Sequence, residues 1–165
     1  MNAHIATQPL TLEIPERVLE RLQRKAKSED SPLEEIILEI LTSQICDDPE
    51  TRAEVHLKLS EKYLREGEEF IAKGDYAQAS EKFWGAASQI IKSIAAKRGE
   101  ELRSHGELHK YVARLRTEIE DPELGSLWLS ALSLHQNFYE AWLPPETVKD
   151  GAEDVKRLIE KVKGL

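Results

Sequence analysis

The sequence predicts an all-α fold, an antiparallel helical bundle preceded by a short strand-helix-helix segment. Apolar residues recur at helical spacing through most of the 165 residues. Prolines, glycines and capping residues divide these stretches into pieces of helix length. The connections are short, which places long neighbouring helices antiparallel. We therefore expect two parts: residues 1–46, the dimerisation segment, and residues 49–165, the bundle.

The charge and composition exclude several classes of protein. Lys and Arg total 23 and Asp and Glu total 31, which gives a net charge of −8. Phosphate backbones are repelled by this charge at long range, so bulk binding to nucleic acid is disfavoured, although a local basic pocket is still possible. A lone Cys46 forms no internal disulfide, and neither a signal peptide nor a membrane-spanning stretch is visible. We expect a cytoplasmic protein.

The first element is a predicted strand over residues 8–14. Three apolar residues alternate there with two polar ones, as in a half-buried strand: Leu10, Leu12 and Ile14 with Thr11 and Glu13. A single strand leaves its own N–H and C=O groups unpaired. We therefore expect it to pair with the same segment of a second copy, which predicts a homodimer.

Two helices should follow this strand. Pro15 opens the first, which breaks at residues 28–30, and a capping box formed by Ser31 and Glu34 opens the second. This order resembles the ribbon-helix-helix fold of small repressors and antitoxins. In that fold the outward residues of the paired strands read DNA bases, which here would be Thr11 and Glu13, with Gln8 nearby.

The charge of this segment favours dimerisation over DNA reading. Residues 1–46 hold five basic and eight acidic side chains, and the outward Glu13 has the same sign as a phosphate. Sequence-specific DNA binding is therefore not expected.

The bundle is predicted to contain five helices. The first covers residues 50–73, and the second runs from Asp75, its N-cap, to Gly99. A capping box of Ser104 and Glu107 opens the third. The fourth opens at residues 121–122, includes Trp142 and stops at residues 143–145, and a shorter fifth helix carries four apolar residues: Val155, Leu158, Ile159 and Val162.

Three runs in the bundle resemble a known family. They are residues 73–87 (KGDYAQASEKFWGAA), 103–109 (RSHGELH) and 134–145 (LHQNFYEAWLPP). Together they look like the archaeal PaREP family, whose members resemble HEPN domains, the helical bundles that accompany nucleotidyltransferases and many toxin–antitoxin systems. The resemblance covers roughly residues 50–160.

The HEPN resemblance implies a dimer of bundles with a polar groove between the subunits. In active members an Arg-x4–6-His motif in this groove cleaves RNA without a metal. In this chain the corresponding helix has His135 where Arg is expected, and no His follows. The spacing Arg98-x6-His105 does exist, but it crosses the break between the second and third bundle helices. The resemblance therefore implies binding of a nucleotide or RNA without vigorous catalysis.

Two groups of residues are candidates for a ligand site. His135, Asn137, Tyr139 and Glu140 lie near the end of the fourth bundle helix, beside aromatic residues that could wall a pocket. His135 could equally be a hydrogen-bonded core residue. Arg98, Arg103 and His105 lie near the start of the third bundle helix, where unpaired N–H groups favour an anion such as phosphate. They could equally cap and solvate a loop.

Metal and cofactor sites are not predicted. His105 and His109 are four residues apart on a helix, a spacing that can hold Zn²⁺, but the sequence offers no third ligand and lacks the metalloprotease motif. Three tryptophans at helical spacing are expected to be core or interface anchors: Trp84, Trp128 and Trp142.

Three functions follow, in order of preference. The first is a dimeric HEPN-like protein that binds a nucleotide or RNA in a groove between subunits. The second is a non-catalytic module for protein interaction and dimerisation. The third is a metal-independent ribonuclease of the toxin–antitoxin type.

Overall fold

A computed structural model describes residues 7–45 and 47–165, so Cys46 and residues 1–6 lie outside the described residues. The described chain contains seven α-helices, which confirms the predicted helical architecture. They are α1 (Glu16–Ser28), α2 (Leu33–Ile45), α3 (Pro49–Ala72), α4 (Tyr76–Lys97), α5 (His105–Glu118), α6 (Glu123–Glu140) and α7 (Pro145–Val162). Within residues 7–45 and 47–165, no helix is both long enough and apolar enough to cross a lipid bilayer.

The strand predicted over residues 8–14 is not present. Residues 7–15 precede α1 without regular secondary structure, and Leu10 and Leu12 are exposed. A strand forms only where another strand accepts and donates its backbone hydrogen bonds, and none of the described residues lies in a strand. The alternating pattern over Thr11 and Glu13 therefore does not produce a strand in the single chain.

The chain divides into two compact units, residues 1–37 and residues 38–165, with the boundary inside α2. In the first unit α1 begins directly after Pro15, as predicted, and its first turn carries Glu16. Its C-terminal turn carries Lys25 and Lys27, which favours the helix because cations stabilise the negative end of the helix dipole. The second unit holds the bundle.

Helix α4 is the centre of the bundle. It contacts α3, α5, α6 and α7, and fifteen of its 22 residues are buried. A helix that is apolar on most of its circumference must be covered on several sides. The sequence of α4 therefore determines that the other helices surround it.

Caps confirm two of the predicted helix starts, at Asp75 and Ser104, and a third cap lies at Asp48. Asp48 accepts a hydrogen bond from the backbone N–H of Thr51 (2.8 Å), and Asp75 accepts one from Gln78 (3.1 Å). Ser104 forms the predicted capping box with Glu107. Each of these contacts satisfies N–H groups that have no partner inside the helix.

The end of the fourth bundle helix differs from the prediction. Helix α6 stops at Glu140, because Ala141 adopts a left-handed conformation (φ 50°), so Trp142 lies outside the helix and is 64% exposed. Trp142 is therefore not a core anchor. Pro145 is the first residue of α7, a position where the backbone N–H has no partner inside the helix, so a proline is tolerated. This last helix is 18 residues long, which is the length of α6, whereas the sequence predicted a shorter helix.

The interface between α3 and α4 is closely packed. A Cβ atom added to Gly67 would lie 2.9 Å from Cε2 of Phe83, and one added to Gly85 would lie 3.0 Å from Cδ2 of Tyr63. The two glycines therefore admit two aromatic rings between the helices.

Buried polar side chains of this interface bond across it. The Ser60 hydroxyl donates to the carbonyl of Ala86 (2.8 Å), and the Ser93 hydroxyl donates to the carbonyl of Ala53 (2.7 Å). The ring Nδ1 of His56 lies 2.7 Å from the amide oxygen of Gln89. These contacts satisfy polar groups that would otherwise be costly to bury.

Candidate functional site

Four aromatic rings from three helices meet in the bundle. Trp84 comes from α4, His105 is the first residue of α5, and α6 supplies Trp128 and His135. We refer to these four residues as the histidine–tryptophan cluster. The cluster joins His105 and His135, which the sequence placed in two separate candidate sites.

The rings of the cluster are in direct contact. His135 stacks on Trp84, with ring centroids 4.9 Å apart and an interplanar angle of 24°. His105 meets Trp84 edge-on at 5.3 Å and His135 edge-on at 5.1 Å. The Trp84 and Trp128 centroids are 5.2 Å apart. Stacked and edge-on contacts at these distances stabilise the arrangement.

His135 is oriented by a carboxylate. Its Nδ1 lies 3.0 Å from Oε2 of Glu81, one turn before Trp84 on α4. The His135 side chain is almost fully buried, and that of Glu81 is about one-third exposed. A carboxylate only accepts hydrogen bonds when it is ionised, so Nδ1 of His135 carries the proton of this bond. The buried imidazole is therefore fixed by stacking and by hydrogen bonding.

His109 has a different partner from His105. The indole N–H of Trp128 donates to Nδ1 of His109 at 2.7 Å. The two histidines follow each other at helical spacing, yet one contacts Trp128 while the other contacts Trp84 and His135. The two histidines at i and i+4, a spacing that can hold Zn²⁺, therefore make separate contacts with different residues.

The four predicted residues at the end of α6 divide into two groups. Tyr139 is 63% exposed, and its ring lies 5.4 Å from that of His135, so these two residues come together. Asn137 is buried, donates to the Ser80 hydroxyl (2.9 Å) and accepts from the backbone N–H of Leu143 (2.8 Å). Asn137 thus holds the chain that follows α6, whereas Glu140 is exposed.

The predicted anion site is not assembled around Arg98. This residue ends α4, and its guanidinium donates to Glu118 (2.9 Å), the last residue of α5. The hydrogen bond to Glu118 raises the pKa of Arg98 above its ordinary value. His105 and Glu118 lie at opposite ends of α5, about 20 Å apart along the helix axis. The spacing Arg98-x6-His105 therefore does not bring the guanidinium and the imidazole together.

Arg103 is also engaged elsewhere. Its Nη2 lies 2.5 Å from Oε2 of Glu101, and its side chain is largely exposed. The hydrogen bond from Arg103 lowers the pKa of the Glu101 carboxyl below its ordinary value. Of the three residues predicted for an anion site, only His105 is part of the cluster.

The sequence did not point to Glu81 and predicted Trp84 only as a core or interface anchor. Both lie on one side of α4, three residues apart, a spacing that puts them in neighbouring turns. Their contact with His135 joins positions more than fifty residues apart, and the sequence carries no signal for such a pairing. Only the packing of α6 on α4 establishes it.

The cluster lies within the region that matches a family model. The model of the Archaeal PaREP1/PaREP8 family matches residues 55–159. The chain belongs to this family. The match includes all of α4, α5 and α6, so every residue of the cluster is inside it.

A solved structure is also similar to this chain. It is the crystal structure of a protein from Sulfolobus solfataricus, 32% identical, with a TM-score of 0.56. The similarity covers 64% of this chain and 94% of that chain. Among curated proteins, none matches this chain.

Proposed function

We propose that this protein is a HEPN-like bundle that binds a nucleotide or an RNA segment, with His135 and Tyr139 in the binding site. One observation carries the proposal. His135 is buried, hydrogen-bonds to Glu81 and stacks on Trp84. Its ring also contacts the ring of Tyr139, which is exposed. A rigid polar ring next to an accessible aromatic face suits a base that stacks and accepts or donates hydrogen bonds.

His105 and Glu140 complete the proposed site. His105 is half-buried and its ring contacts that of His135, so a ligand that contacts His135 can also contact His105. Glu140 is exposed beside Tyr139 on the last turn of α6. A carboxylate at this position accepts hydrogen bonds from base amino groups. Arg98, Arg103 and Asn137 are left out, because their contacts are made elsewhere.

Helix α1, in the first of the two units, has a basic side that can contact a polyanion by itself. This helix holds five basic and two acidic residues in a chain whose net charge is −8. Arg17, Arg21 and Arg24 are exposed and recur at i, i+4 and i+7, so they lie on one side of the helix. In the described part of the chain, none of these three arginines forms an ion pair. Such a row of guanidinium groups can contact successive phosphates.

The proposal includes a homodimer, as the HEPN resemblance implies. Three apolar or aromatic side chains on α6 and just after it are exposed to similar extents: Leu129 (61%), Tyr139 (63%) and Trp142 (64%). Contact with a second copy would remove the apolar surface of these side chains from water. Light scattering after size exclusion should give twice the chain mass. A monomer at all concentrations tested would remove the groove between subunits from the proposal.

The test of binding is a thermal-shift screen with nucleotides and short RNAs in the presence of EDTA. We expect at least one of them to raise Tm and Tyr139→Ala to abolish that shift while leaving the unliganded Tm almost unchanged, because the side chain is exposed. Gln136→Ala is the matched control, because Gln136 is exposed on the same helix and belongs neither to the proposed site nor to the proposed dimer interface. If no nucleotide or RNA shifts Tm, or if both variants lose the shift equally, the proposed site is wrong.

The alternative is a module that binds only another protein, favoured by the same exposed side chains. A dimer with no nucleotide or RNA binding would support it. The third candidate, a metal-independent ribonuclease, has little support because Arg98 bonds to the far end of α5 from His105. A gel assay with labelled RNA should show no cleavage, and specific cleavage abolished by His105→Ala would reinstate this function.

A further inference from the structure

Two histidines from different helices converge in the cluster. One ring nitrogen of His105 and one of His135 lie within 4.8 Å of each other. Their ring centroids are 5.1 Å apart, with the planes at 82°. Two imidazoles that share one tetrahedral Zn²⁺, with Zn–N of about 2.0–2.1 Å, have nitrogens about 3.4 Å apart and centroids about 5 Å apart. The centroids are already at this separation, so rotation of the half-buried His105 ring suffices to aim its nitrogen at an ion held by the fixed His135 ring.

Glu81 occupies the place of an outer carboxylate. A histidine that binds a metal through one nitrogen commonly donates its other N–H to a carboxylate, which fixes the tautomer and strengthens the ligand. Nδ1 of His135 makes this contact with Glu81 at 3.0 Å. Nε2 is then the nitrogen that binds an ion. Trp84 stacks on the same ring and limits its tilt.

We infer that His105 and His135 bind a divalent transition-metal ion, with Zn²⁺ as the reference ion, and that Glu81 positions His135. Imidazole nitrogens suit Zn²⁺, Ni²⁺ and Cu²⁺, whereas Mg²⁺ and Ca²⁺ prefer oxygen ligands. Two protein ligands leave positions for water or for an anionic ligand. His109 takes no part, since its Nδ1 accepts the indole N–H of Trp128. The inference goes beyond the proposed function, which needs no metal.

The test is calorimetric titration of Zn²⁺ into the full chain, without an affinity tag, after treatment with EDTA and desalting. We expect saturable binding with one ion per chain. His105→Gln and His135→Gln should each weaken binding at least about tenfold, and Glu81→Gln about 10–100-fold. His109→Gln is the matched control and should leave the affinity unchanged.

A second readout uses the fluorescence of the tryptophans. Cu²⁺ and Ni²⁺ quench nearby indoles, and Trp84 stacks directly on His135. Quenching by Ni²⁺ should therefore saturate in parallel with binding and disappear in His135→Gln, provided that the melting curve shows the variant to be folded. Replacing Trp84 with Phe should reduce the quenching while keeping Zn²⁺ binding, and the remaining quenching is expected to come from Trp128.

Three results would overturn the inference: no saturable binding of Zn²⁺, equal affinity in wild type and both His→Gln variants, or equal loss in His109→Gln. The metal titration contains no nucleotide, and the nucleotide screen contains EDTA. Failure of the metal site is therefore distinguishable from failure of the proposed nucleotide or RNA site.

Discussion

His56 and His135 are buried to almost the same extent, 8% and 7% exposed, yet their surroundings differ. Nδ1 of His56 pairs with the neutral amide of Gln89 between α3 and α4, whereas Nδ1 of His135 pairs with the Glu81 carboxylate inside a cluster of rings. Burial alone therefore does not reveal the role of a histidine. The role is indicated by the hydrogen-bond partner of the histidine and by the exposure of the residues around it.

The two regions around these histidines show the same contrast. Between α3 and α4, two serines bond to backbone carbonyls, and glycines let the helices approach closely. At the histidine–tryptophan cluster, side chains contact other side chains, and two of the residues in contact with His135 are exposed or partly exposed: Tyr139 and Glu81. Polar side chains that hydrogen-bond to the backbone stabilise the fold. Polar side chains that hydrogen-bond to other side chains at a partly exposed position can also bind a ligand.

The largest effect is expected from Phe83→Ala, which tests whether the α3–α4 interface is purely structural. Phe83 is fully buried beside Gly67, so the substitution should lower the free energy of unfolding by about 3–5 kcal/mol. Denaturant titration measures this loss. Ligand affinity, measured well below the Tm of the variant, should equal that of wild type. A change under about 1 kcal/mol would mean that this interface repacks freely.

Asn137→Ala should have an intermediate effect and tests the reassignment of a predicted site residue. Its side chain bonds to Ser80 and to the N–H of Leu143, so removal should cost about 1–3 kcal/mol. Ligand affinity, measured well below Tm, should stay within about twofold of wild type. Loss of binding without loss of stability would return Asn137 to the site. Gln136→Ala, at an exposed neighbouring position, is the control.

The sequence predicts the helices of the bundle well and its contacts poorly. Asp75 and Ser104 mark helix starts because capping depends on neighbouring residues. The prediction of a strand at residues 8–14 was wrong, because a strand needs a partner strand, which a local sequence pattern does not supply. His135 and Tyr139 were grouped because they share one helix, and their rings are in contact, but the contact of His135 with Glu81 was not predicted. Arg98 was grouped with His105, although its guanidinium bonds to Glu118.

The smallest effect is expected from Lys161→Ala, a surface contact that belongs to neither region. Lys161 hydrogen-bonds to Asp121 (2.6 Å) and Glu123 (2.9 Å), and these bonds lower the pKa of both carboxyls and raise the pKa of Lys161. A carboxyl with a lowered pKa in the folded state stabilises the protein above its unfolded pKa, and this stabilisation is lost as pH falls through the folded value.

The variant should therefore melt slightly below wild type at pH 7, and the difference should shrink as the pH falls through the lowered pKa values of the two carboxyls. Thermal melts across this range measure it. Lys163→Ala, which removes an i, i+3 pair near the same end of α7, is the control. A difference that grows at low pH would contradict the assignment.

The most direct test of the contrast between the two histidines compares His135→Gln with His56→Gln in one experiment. Unliganded Tm and affinity for the nucleotide or RNA found in the screen are measured for both variants and for wild type. The account predicts that His56→Gln lowers Tm but keeps the affinity of wild type, whereas His135→Gln loses at least about tenfold in affinity, or about 1.4 kcal/mol. Equal loss of stability with unchanged affinity in both variants would contradict it, because His135 would then be a core histidine like His56.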